Sequence, residues 1–393
     1  GSEAASDTRG PTGNPQVTVR AGAYATFDTR QERTVTARVG ISFVSVAGAR
    51  AALQAESEGR GFDAIRAAAR RRWDQALGKV QVSGGTAVQT RTFYTALYHA
   101  LLAPRTFDDV GGDYVGMDGA VHQARGRTQY ADFSGWDIYR TEIPLLALIE
   151  PRRASDMVQS LLADAEQSGC LPRWPYANGQ GMTMVGDSAD PIIAGAAAFG
   201  ADHFDRAAAL AAMLRGATAP CQSPNGEYLE RQGLASYLSL GWVSYDEDVN
   251  KRNGNSIYGS PGAVWGSAAM TLEYAIDDFA IAQFAARGGV PESTPAEPAG
   301  SGGAAIYDVF IQRAANWRNL WNPASGTVQP RYASGAFPAP YDDLGGSGFV
   351  EGNAAQYSWM VPQDPAGLFR RMGGPTKAAA RLDDFLRVLN GGA

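Results

Sequence analysis

The sequence predicts a mainly helical protein, in which paired helices form a toroid of the (α/α)6 barrel type. Segments with the 3.6-residue periodicity of amphipathic helices recur from residue 47 to the C-terminal region. Gly, Pro and Asn occupy the joins between these segments, as expected of turns. Several joining loops are long, which is typical of loops that carry function. In such a toroid, the loops at one end would build a pocket.

The first 46 residues have a different pattern. Residues 16–25 and 33–46 alternate and are rich in Val, Thr and aromatic residues, which predicts two strands joined by a polar turn. Because two strands alone are only marginally stable, we interpret residues 1–46 as the last strands of a β-domain. Residues 47–87 are then a helical linker, and residues 88–393 belong to the barrel.

Helical spacing predicts twelve helices. Their predicted bounds are 47–57, 62–78, 88–102, 134–149, 152–167, 190–199, 202–215, 230–239, 263–286, 303–321, 354–360 and 375–389. About ten of them lie in the barrel region, whereas a closed (α/α)6 barrel needs twelve. The sequence therefore suggests a barrel that is incomplete at its C-terminal end.

The composition excludes several classes of function. A net charge of −6 argues against nucleic acid or an anionic membrane as the main partner. No run of about 18 apolar residues exists that could span a bilayer, and no zinc spacing, nucleophile elbow or nucleotide-binding motif occurs. The histidines, His99, His122 and His203, are scattered and are interpreted as structural. Cys170 and Cys221 suit one disulfide in a secreted enzyme, and two free thiols in a cytosolic one fit nearly as well.

The densest group of polar and aromatic residues is the segment 348–364, GFVEGNAAQYSWMVPQD. The carboxylate of Glu351 and the amides of Asn353 and Gln356 offer the oxygen atoms that calcium prefers. The neighbouring tyrosine and tryptophan could cover the apolar face of a sugar. The alternative is a helix N-terminus with a polar first turn and a Tyr and Trp in the core.

A second candidate segment, residues 130–140, places Trp136, Asp137 and Arg140 just inside a helix start. An Asp beside a Trp can hold a hexose, because the carboxylate accepts hydroxyl groups while the indole covers the C–H face. The alternative is an acid favoured by the dipole at a helix N-terminus.

Two further segments complete the set of candidates. The Gly- and Pro-rich loop 171–187 is predicted to be ordered, and it presents four polar or aromatic side chains: Arg173, Trp174, Asn178 and Gln180. On the helix 263–286, Glu273 and Asp277 share one face because they are four residues apart. That pair could be a site or could cap neighbouring helices.

Six motifs, taken together and in order across residues 33–390, resemble glycoside hydrolase family 92, the calcium-dependent α-mannosidases that act by inversion. They are GISFVS, RTFYTALYHALLAP, DFSGWDIYRTEIPLL, LPRWP with MVGD, TLEYAIDDFAIA and GFVEGNAAQYSWMVPQD. The family is built from an N-terminal β-sandwich, a helical linker and an (α/α)6 barrel. The resemblance implies that residues 1–46 are the C-terminal strands of that sandwich, and it also implies secretion and hence a Cys170–Cys221 disulfide.

The sequence departs from the family pattern at two catalytic positions. Gln180 stands where the family carries the glutamate that is its general acid, and an amide cannot protonate a leaving alkoxide. The family's general base, an aspartate in a GNDD-type segment, does not occur in this chain, although inversion requires an acid and a base.

The resemblance nevertheless implies a mannose site. It assigns calcium binding to Glu351, Asn353 and Gln356, and places Trp136 and Asp137 on the far side of the mannose. Arg140, Trp174 and Asn178 complete the predicted sugar contacts, and Arg173, Lys251 and Arg252 are candidate contacts to a phosphate. We therefore expect a secreted hydrolase that releases mannose from mannose-α-1-phospho-6-mannose caps of glycans, a leaving group that needs no proton. The alternatives are a conventional exo-α-1,2-mannosidase with a displaced acid and an inactive mannose-binding protein.

Overall fold

The computed structural model describes residues 24–31, 33–181, 183–249, 262–287 and 303–387. The chain forms two compact units, one up to Ala131 and one from Asp132 onward. Most of the predicted strand 16–25, the candidate phosphate contacts Lys251 and Arg252, and the last two residues of the predicted helix 375–389 lie outside the described residues.

Among its described residues, the first unit contains three helices, one small hairpin and one antiparallel strand pair that encloses the hairpin in sequence. The helices are α1 (Val46–Ser57), α2 (Phe62–Leu77) and α3 (Ala87–Ala100). The antiparallel pairs are β1 (Arg105–Thr106) with β4 (Tyr130–Ala131), and β2 (Asp113–Val115) with β3 (Val121–Gln123). Ser45 caps α1 by accepting a hydrogen bond from the Gly48 N–H at 3.0 Å, and Thr86 and Gln89 form a capping box on α3. The predicted helices 47–57, 62–78 and 88–102 are thereby confirmed to within two residues.

The expected strand over residues 33–46 is not found among the described residues. Residues 33–44 have no regular secondary structure, and Val39, Ile41 and Phe43 are all exposed. A strand needs a partner to accept and donate its backbone hydrogen bonds, and no described residue pairs with this segment. The assignment of residues 1–46 to a β-sandwich stays a prediction.

Helices are the main regular elements of the second unit, and long irregular segments join them. Their bounds are α4 (Gly135–Ile138), α5 (Glu142–Ile149), α6 (Pro151–Ser168), α7 (Ala189–Ala198), α8 (Arg206–Thr218), α9 (Leu234–Leu240), α10 (Ser267–Ala286), α11 (Gly303–Arg313), α12 (Ala354–Tyr357), α13 (Pro365–Arg371) and α14 (Pro375–Arg387). The described part of this unit also has two 3-10 helices, Tyr245–Glu247 and Asn316–Leu320, and two short hairpins. The hairpins are β5 (Pro175–Tyr176) with β6 (Gly179–Gln180), and β7 (Trp321–Asn322) with β8 (Thr327–Val328).

Helix α10 is the central element of this unit. Nearly all of its side chains are buried, including Glu273, Asp277 and Asp278, and it packs against α7, α8 and α11. A helix that is buried all round belongs to the interior of a larger helical assembly. Because α10 is enclosed in this way, its three acids must find their partners inside the protein.

Several predicted helices have different bounds in the structure. The predicted helix 134–149 is two helices, α4 and α5, and the segment 303–321 ends as an α-helix at Arg313 before a 3-10 helix. The helix α13 was not predicted. It begins with Asp364, whose carboxylate accepts the Gly367 N–H at 2.8 Å, and with Pro365 in its first turn. The sequence PQDP contained this signal.

Candidate functional site

Four of the predicted segments meet in one apolar cluster of the second unit. Buried side chains of α10 pack there with Val185 of the 171–187 loop and with Phe349, Val350 and Tyr357 of the 348–364 segment. Trp136 is half-buried against the same cluster. The structure therefore brings together segments that are up to about two hundred residues apart in sequence.

Glu273 lies at the point where these segments meet. It is fully buried, and its Oε1 accepts hydrogen bonds from Trp136 Nε1 at 2.7 Å and from Arg140 Nη2 at 3.1 Å. Its Oε2 accepts the hydroxyl of Tyr139 at 2.8 Å. Burial raises the pKa of Glu273, while Arg140, Tyr139 and Trp136 act against that increase by stabilising the carboxylate.

The guanidinium of Arg140 joins the two rings of the same helical turn. Its central carbon lies 5.0 Å from the Trp136 ring centroid and 4.8 Å from that of Tyr139. Cation–π contact and the ion pair with Glu273 hold the arginine in place. The predicted sugar contacts Trp136 and Arg140 are thus parts of one fixed arrangement.

Asp137, the predicted partner of the mannose hydroxyls, is on the exposed side of α4. Partial burial raises its pKa, and Arg140 acts in the opposite direction. No described residue donates a hydrogen bond to its carboxylate. Glu142, at the start of α5, lies close enough for Asp137 to help raise the pKa of Glu142 to about 7, although burial is the larger cause.

The loop that carries Gln180 is a two-residue β-hairpin fastened beside α4. The turn residues are Ala177 and Asn178, and Ala177 has a φ of 50°. The Ala177 N–H donates to Asp132 Oδ1 at 3.0 Å, and the Phe133 N–H donates to the Pro175 carbonyl at 3.1 Å. These bonds fix the hairpin to the chain that enters α4.

Gln180 has the most unusual side chain in this hairpin. Its Oε1 and Nε2 are both shielded from water, and neither has a hydrogen-bond partner among the described residues. A buried amide without partners costs free energy that a bound group can recover. Trp174 is half-buried in the same hairpin, and its backbone carbonyl accepts the Gly181 N–H at 2.8 Å.

Arg173, which we expected to contact a phosphate, is held by carbonyls and an amide of the protein. Its side chain is buried, and its guanidinium donates to the carbonyls of Gly186, Met184 and Glu230 and to Gln232 Oε1 at 2.6 to 3.3 Å. A further bond joins it to the Leu229 carbonyl. The contact of Arg173 with a phosphate stays a prediction.

The 348–364 segment contains the helix start that we kept as the alternative interpretation. Asn353 Oδ1 accepts the Gln356 N–H and Gln356 Oε1 accepts the Asn353 N–H, each at 3.1 Å, which is a reciprocal capping box on α12. Tyr357 is a core residue whose hydroxyl donates to the Val350 carbonyl at 2.6 Å. The two amides therefore cap a helix.

The same segment still fits the calcium that the family implies. Glu351 is exposed, has a φ of 48°, and receives no hydrogen bond from the described residues. The amide oxygens of Asn353 and Gln356 each keep a second lone pair beside the capping bond. In the described residues, only Cys170, Cys221 and Glu230 form a group of three metal-ligand atoms of the His, Cys, Asp or Glu type, and the two sulfurs are bonded to each other.

Sequence reasoning missed a buried ionic network beside the site. Arg231, fully buried, donates to Asp187 at 2.8 Å, to Asp190 at 2.7 Å and to Asp278 at 3.0 Å. Arg313 adds two bonds of 2.9 Å to Asp278. An arginine among buried acids is not detectable from local spacing, because its partners come from the loop 171–187 and from helices α7 and α10.

Three carboxyls in and beside this network have raised pKa values. Burial is the main cause that raises the pKa of Asp190, Glu230 and Asp277 far above the usual range, and Asp187 adds to it in each case. Glu230, once protonated, can donate a hydrogen bond to Asp187, whose Oδ1 otherwise has no described partner. Asp277 Oδ2 accepts the Asp187 N–H at 2.8 Å, so Asp277 binds the chain that leads into α7.

The predicted disulfide is present. Cys170 and Cys221 are bonded, their Cα atoms are 5.8 Å apart, and both side chains are buried. The bond joins the end of α6 to the segment after α8. No helix among the described residues combines the length and apolar character needed to cross a membrane.

Comparison with known proteins places the chain among glycosidases. A family model for the catalytic domain of glycosyl hydrolase family 92 matches residues 48–392. Among curated proteins, the chain is 25% identical over 397 residues to an uncharacterized secreted glycosidase of Arthroderma benhamiae, with 93% of this chain and 44% of that protein covered.

Solved structures of the same family are similar as well. An inverting mannosidase of family GH92 from Bacteroides thetaiotaomicron has a TM-score of 0.75 and 31% identity, covering 87% of this chain and 42% of that chain. An α-mannosidase of the same family and organism, solved with mannoimidazole, has a TM-score of 0.74 and 29% identity, covering 88% and 42%. These likenesses confirm the mainly helical, (α/α)6 barrel fold class. The chain spans less than half the length of these relatives.

Proposed function

Because this chain belongs to glycosyl hydrolase family 92, we propose that it works in a secreted, calcium-dependent hydrolase that releases mannose, with inversion, from mannosyl phosphodiesters. The solved relatives include an inverting mannosidase and an α-mannosidase bound to mannoimidazole, which supports mannose as the sugar. The buried disulfide and the secreted relative support an extracellular location.

The observation that carries the phosphodiester is the amide of Gln180. An alcohol leaves with a pKa near that of water, about 15.7, and needs a proton from a general acid. A phosphate monoester has a second pKa of about 6 and leaves as an anion without that proton. In the proposed reaction water attacks the anomeric carbon, the C1–O bond breaks, the phosphomonoester departs, and a base takes the proton of the water.

The unpaired amide of Gln180 also suits an anionic leaving group. Its Nε2 can donate to a phosphate or glycosidic oxygen, whereas a glutamate there would add a negative charge beside the phosphate. The hairpin that carries Gln180 is fixed next to α4, so Trp136 and Asp137 can hold the mannose from the other side. Trp174 and Asn178 belong to the same hairpin and are the nearest candidates for further sugar contacts.

Calcium would be held by Glu351 with the amide oxygens of Asn353 and Gln356. Bound there, the ion would polarise sugar hydroxyls and favour a distorted, oxocarbenium-like ring. Tyr357 links this segment to the mannose side, because its pKa is raised by burial first and then by Glu273, with Arg140 and Glu351 also within electrostatic reach.

The substitution Gln180→Glu tests the proposal in the full-length enzyme. We expect hydrolysis of α-1,2-mannobiose to rise by roughly 10²- to 10⁴-fold, the usual contribution of a general acid. Hydrolysis of a mannosyl phosphodiester should fall or stay unchanged, because the new carboxylate faces an anion. The measurement is kcat/KM for both substrates, with calcium present.

Gln75→Glu is the matched control, since Gln75 is exposed on α2 and receives the same chemical change. It should alter neither rate. If the wild-type enzyme cleaves mannobiose well and ignores the phosphodiester, it is a conventional α-mannosidase with its acid elsewhere. If neither the wild-type enzyme nor the Gln180→Glu variant cleaves either substrate, an inactive mannose-binding protein is the better description.

A further inference from the structure

We propose that Glu273 is a positioning residue that holds Trp136, Tyr139 and Arg140 as one preformed wall of the sugar site. This inference rests on the proposed function, because it assumes that Trp136 faces the sugar. It adds a residue that touches no substrate atom and acts through the three side chains bonded to it.

The hydrogen bonds of Glu273 all come from one side. Glu273 accepts three hydrogen bonds of 2.7 to 3.1 Å, all from one turn of chain that includes α4. A carboxylate offers about four lone-pair positions, so three donors nearly saturate it. Bonds to a charged acceptor are stronger than neutral ones and fix the donors more firmly.

The indole of Trp136 needs support from outside its own short helix. An aromatic ring can cover a sugar only if its plane is held at the correct angle, and α4 is a helix of only four residues. A single turn of helix cannot hold a large side chain by itself. The bond from Trp136 Nε1 to Glu273 and the guanidinium 5.0 Å from the ring centroid together fix that plane.

Glu273 also packs against the loop that carries Gln180. A Cβ on Gly186, at the end of this loop, would come within 2.8 Å of the Glu273 Cβ. Glu273 therefore contacts α4 by hydrogen bonds and the 171–187 loop by packing. One buried carboxylate thus connects both sides of the proposed mannose site.

Packing of the protein interior alone does not require the negative charge of Glu273. Glu273 is paired with only one cation among the described residues, Arg140, whose side chain is still about one-third exposed. Burying a charge is costly, and an apolar residue would fill the same space at lower cost. A role in holding Arg140 and Trp136 for a ligand explains why a carboxylate is present.

The test uses the full-length enzyme with Glu273→Gln, which keeps the size of the side chain and removes its charge. We expect KM for the mannosyl substrate to rise roughly tenfold, as for the loss of one charged hydrogen bond, while kcat changes less than about threefold. Asp277→Asn is the matched control, because Asp277 is a buried acid one turn along α10 that accepts the Asp187 N–H instead of a donor from α4. It should leave KM unchanged.

A double-mutant cycle shows whether Glu273 acts through the indole. Trp136→Phe keeps a ring but removes the Nε1 donor. If the proposal is correct, adding Glu273→Gln to Trp136→Phe raises KM far less than Glu273→Gln does alone. Full additivity would show that Glu273 does not act through Trp136 and would overturn the proposal.

A spectroscopic readout separates this inference from the reaction itself. In protein labelled with 5-fluorotryptophan, the ¹⁹F resonance that disappears in Trp136→Phe should shift in Glu273→Gln and stay in place in Asp277→Asn. If no substrate is cleaved, the proposed function fails, while this shift and the affinity for free mannose still decide the inference. An unmoved Trp136 resonance with unchanged mannose affinity would refute it.

Tyr139→Phe covers the case in which Glu273→Gln does not fold. It removes only the 2.8 Å bond to Glu273 Oε2 and leaves the other two in place. We expect a smaller rise in KM, of about two- to fivefold, and a displaced Trp136 resonance. A Tyr139→Phe protein with wild-type KM and an unchanged resonance would contradict the proposal.

Discussion

Gly186 lets the 171–187 loop pack closely against Glu273 of α10. Its φ is 93°, a region that residues with a Cβ rarely adopt, and an added Cβ would lie 2.8 Å from the Glu273 Cβ. The position therefore combines a backbone requirement with a packing requirement. The motif MVGD contains the glycine, but its letters alone do not reveal the reason for it.

Gly186→Ala should destabilise the protein by at least about 2 kcal/mol, because it adds backbone strain to a steric clash. Gly200→Ala is the control that measures the cost of backbone strain without a steric clash, since Gly200 has a φ of 100° and open space around it. Urea denaturation of both variants gives the two free energies of unfolding. Equal losses would show that contact with Glu273 contributes nothing.

Single residues differ in how far the sequence could predict them. Gln180 was identified by the resemblance to a family, and the structure adds that its amide is buried and unpaired among the described residues. Glu273 was noted only as a carboxylate that shares a helix face with Asp277. Its three donors come from more than 130 residues away, and local periodicity contains no information about such partners. The carbonyls around Arg173 could not be predicted either, because an arginine in a loop gives no local sign that loop carbonyls will surround it.

At the scale of elements, α12 shows how one short motif can serve two purposes. The Asn353–Gln356 capping box begins a helix of four residues, and Glu351 lies just before it with a left-handed backbone. Both the polar helix start and the cation site were inferred from the same few residues. The cap follows from spacing alone, whereas the cation site depends on the direction in which Glu351 points.

Two substitutions separate the cap from the proposed calcium site. Asn353→Ala should lower stability by about 1 kcal/mol in the presence of a chelator, because it removes the N-cap acceptor. Glu351→Gln should leave chelated protein unchanged in stability and weaken calcium binding, because it removes the charged ligand. Thermal unfolding with and without calcium, and calcium titration calorimetry, measure both effects.

Two results would contradict calcium binding at Glu351. If chelation leaves hydrolysis of the mannosyl substrate unchanged after metal removal has been verified, the site does not need the ion. A Glu351→Gln protein that binds calcium as tightly as the wild type would move the site elsewhere in the full-length enzyme.

The sequence predicted the presence of the long helices more accurately than the residues at which helices end or break. The long helices α6 and α10 follow apolar periodicity and were found within a few residues. The break between α4 and α5 was missed, because residues 139–141 keep helical composition while their backbone turns. The hairpin of β5 and β6 lies in the stretch 171–187 that we described as a loop, and strands of two residues have no detectable alternation.

At the scale of the whole molecule, the buried acids determine how stability depends on pH. Asp190, Glu230 and Asp277 have pKa values raised mainly by burial, and the pKa of Glu142 is raised to about 7. A carboxyl with a raised pKa binds its proton more tightly in the folded state than in the unfolded one. The stability that such a carboxyl contributes is complete below its pKa in the unfolded state, which is about 4. That stability is lost as the pH rises through the higher pKa of the folded state.

We therefore expect stability to decrease as the pH rises above about 4, with the share from Glu142 lost by about pH 7. Urea midpoints measured at several pH values test this expectation, and Glu142→Gln should flatten the decrease. Asp118 and Asp364 have lowered pKa values because of hydrogen bonds and His122 or Arg318, so their contributions are lost only below about pH 4. A stability that rises steadily from pH 5 to pH 8 would contradict this account.

The Cys170–Cys221 bond has a consequence for chemical access. Cys170 directly precedes the 171–187 loop, and the two bonded residues are only 1% and 7% exposed. A small thiol reagent in solution cannot reach the sulfurs until the neighbouring chain opens. The speed of reduction then measures how often this region opens, and it becomes independent of reagent concentration once every opening leads to reaction. The bond thus reports the rate of local opening in the chain next to the Gln180 hairpin.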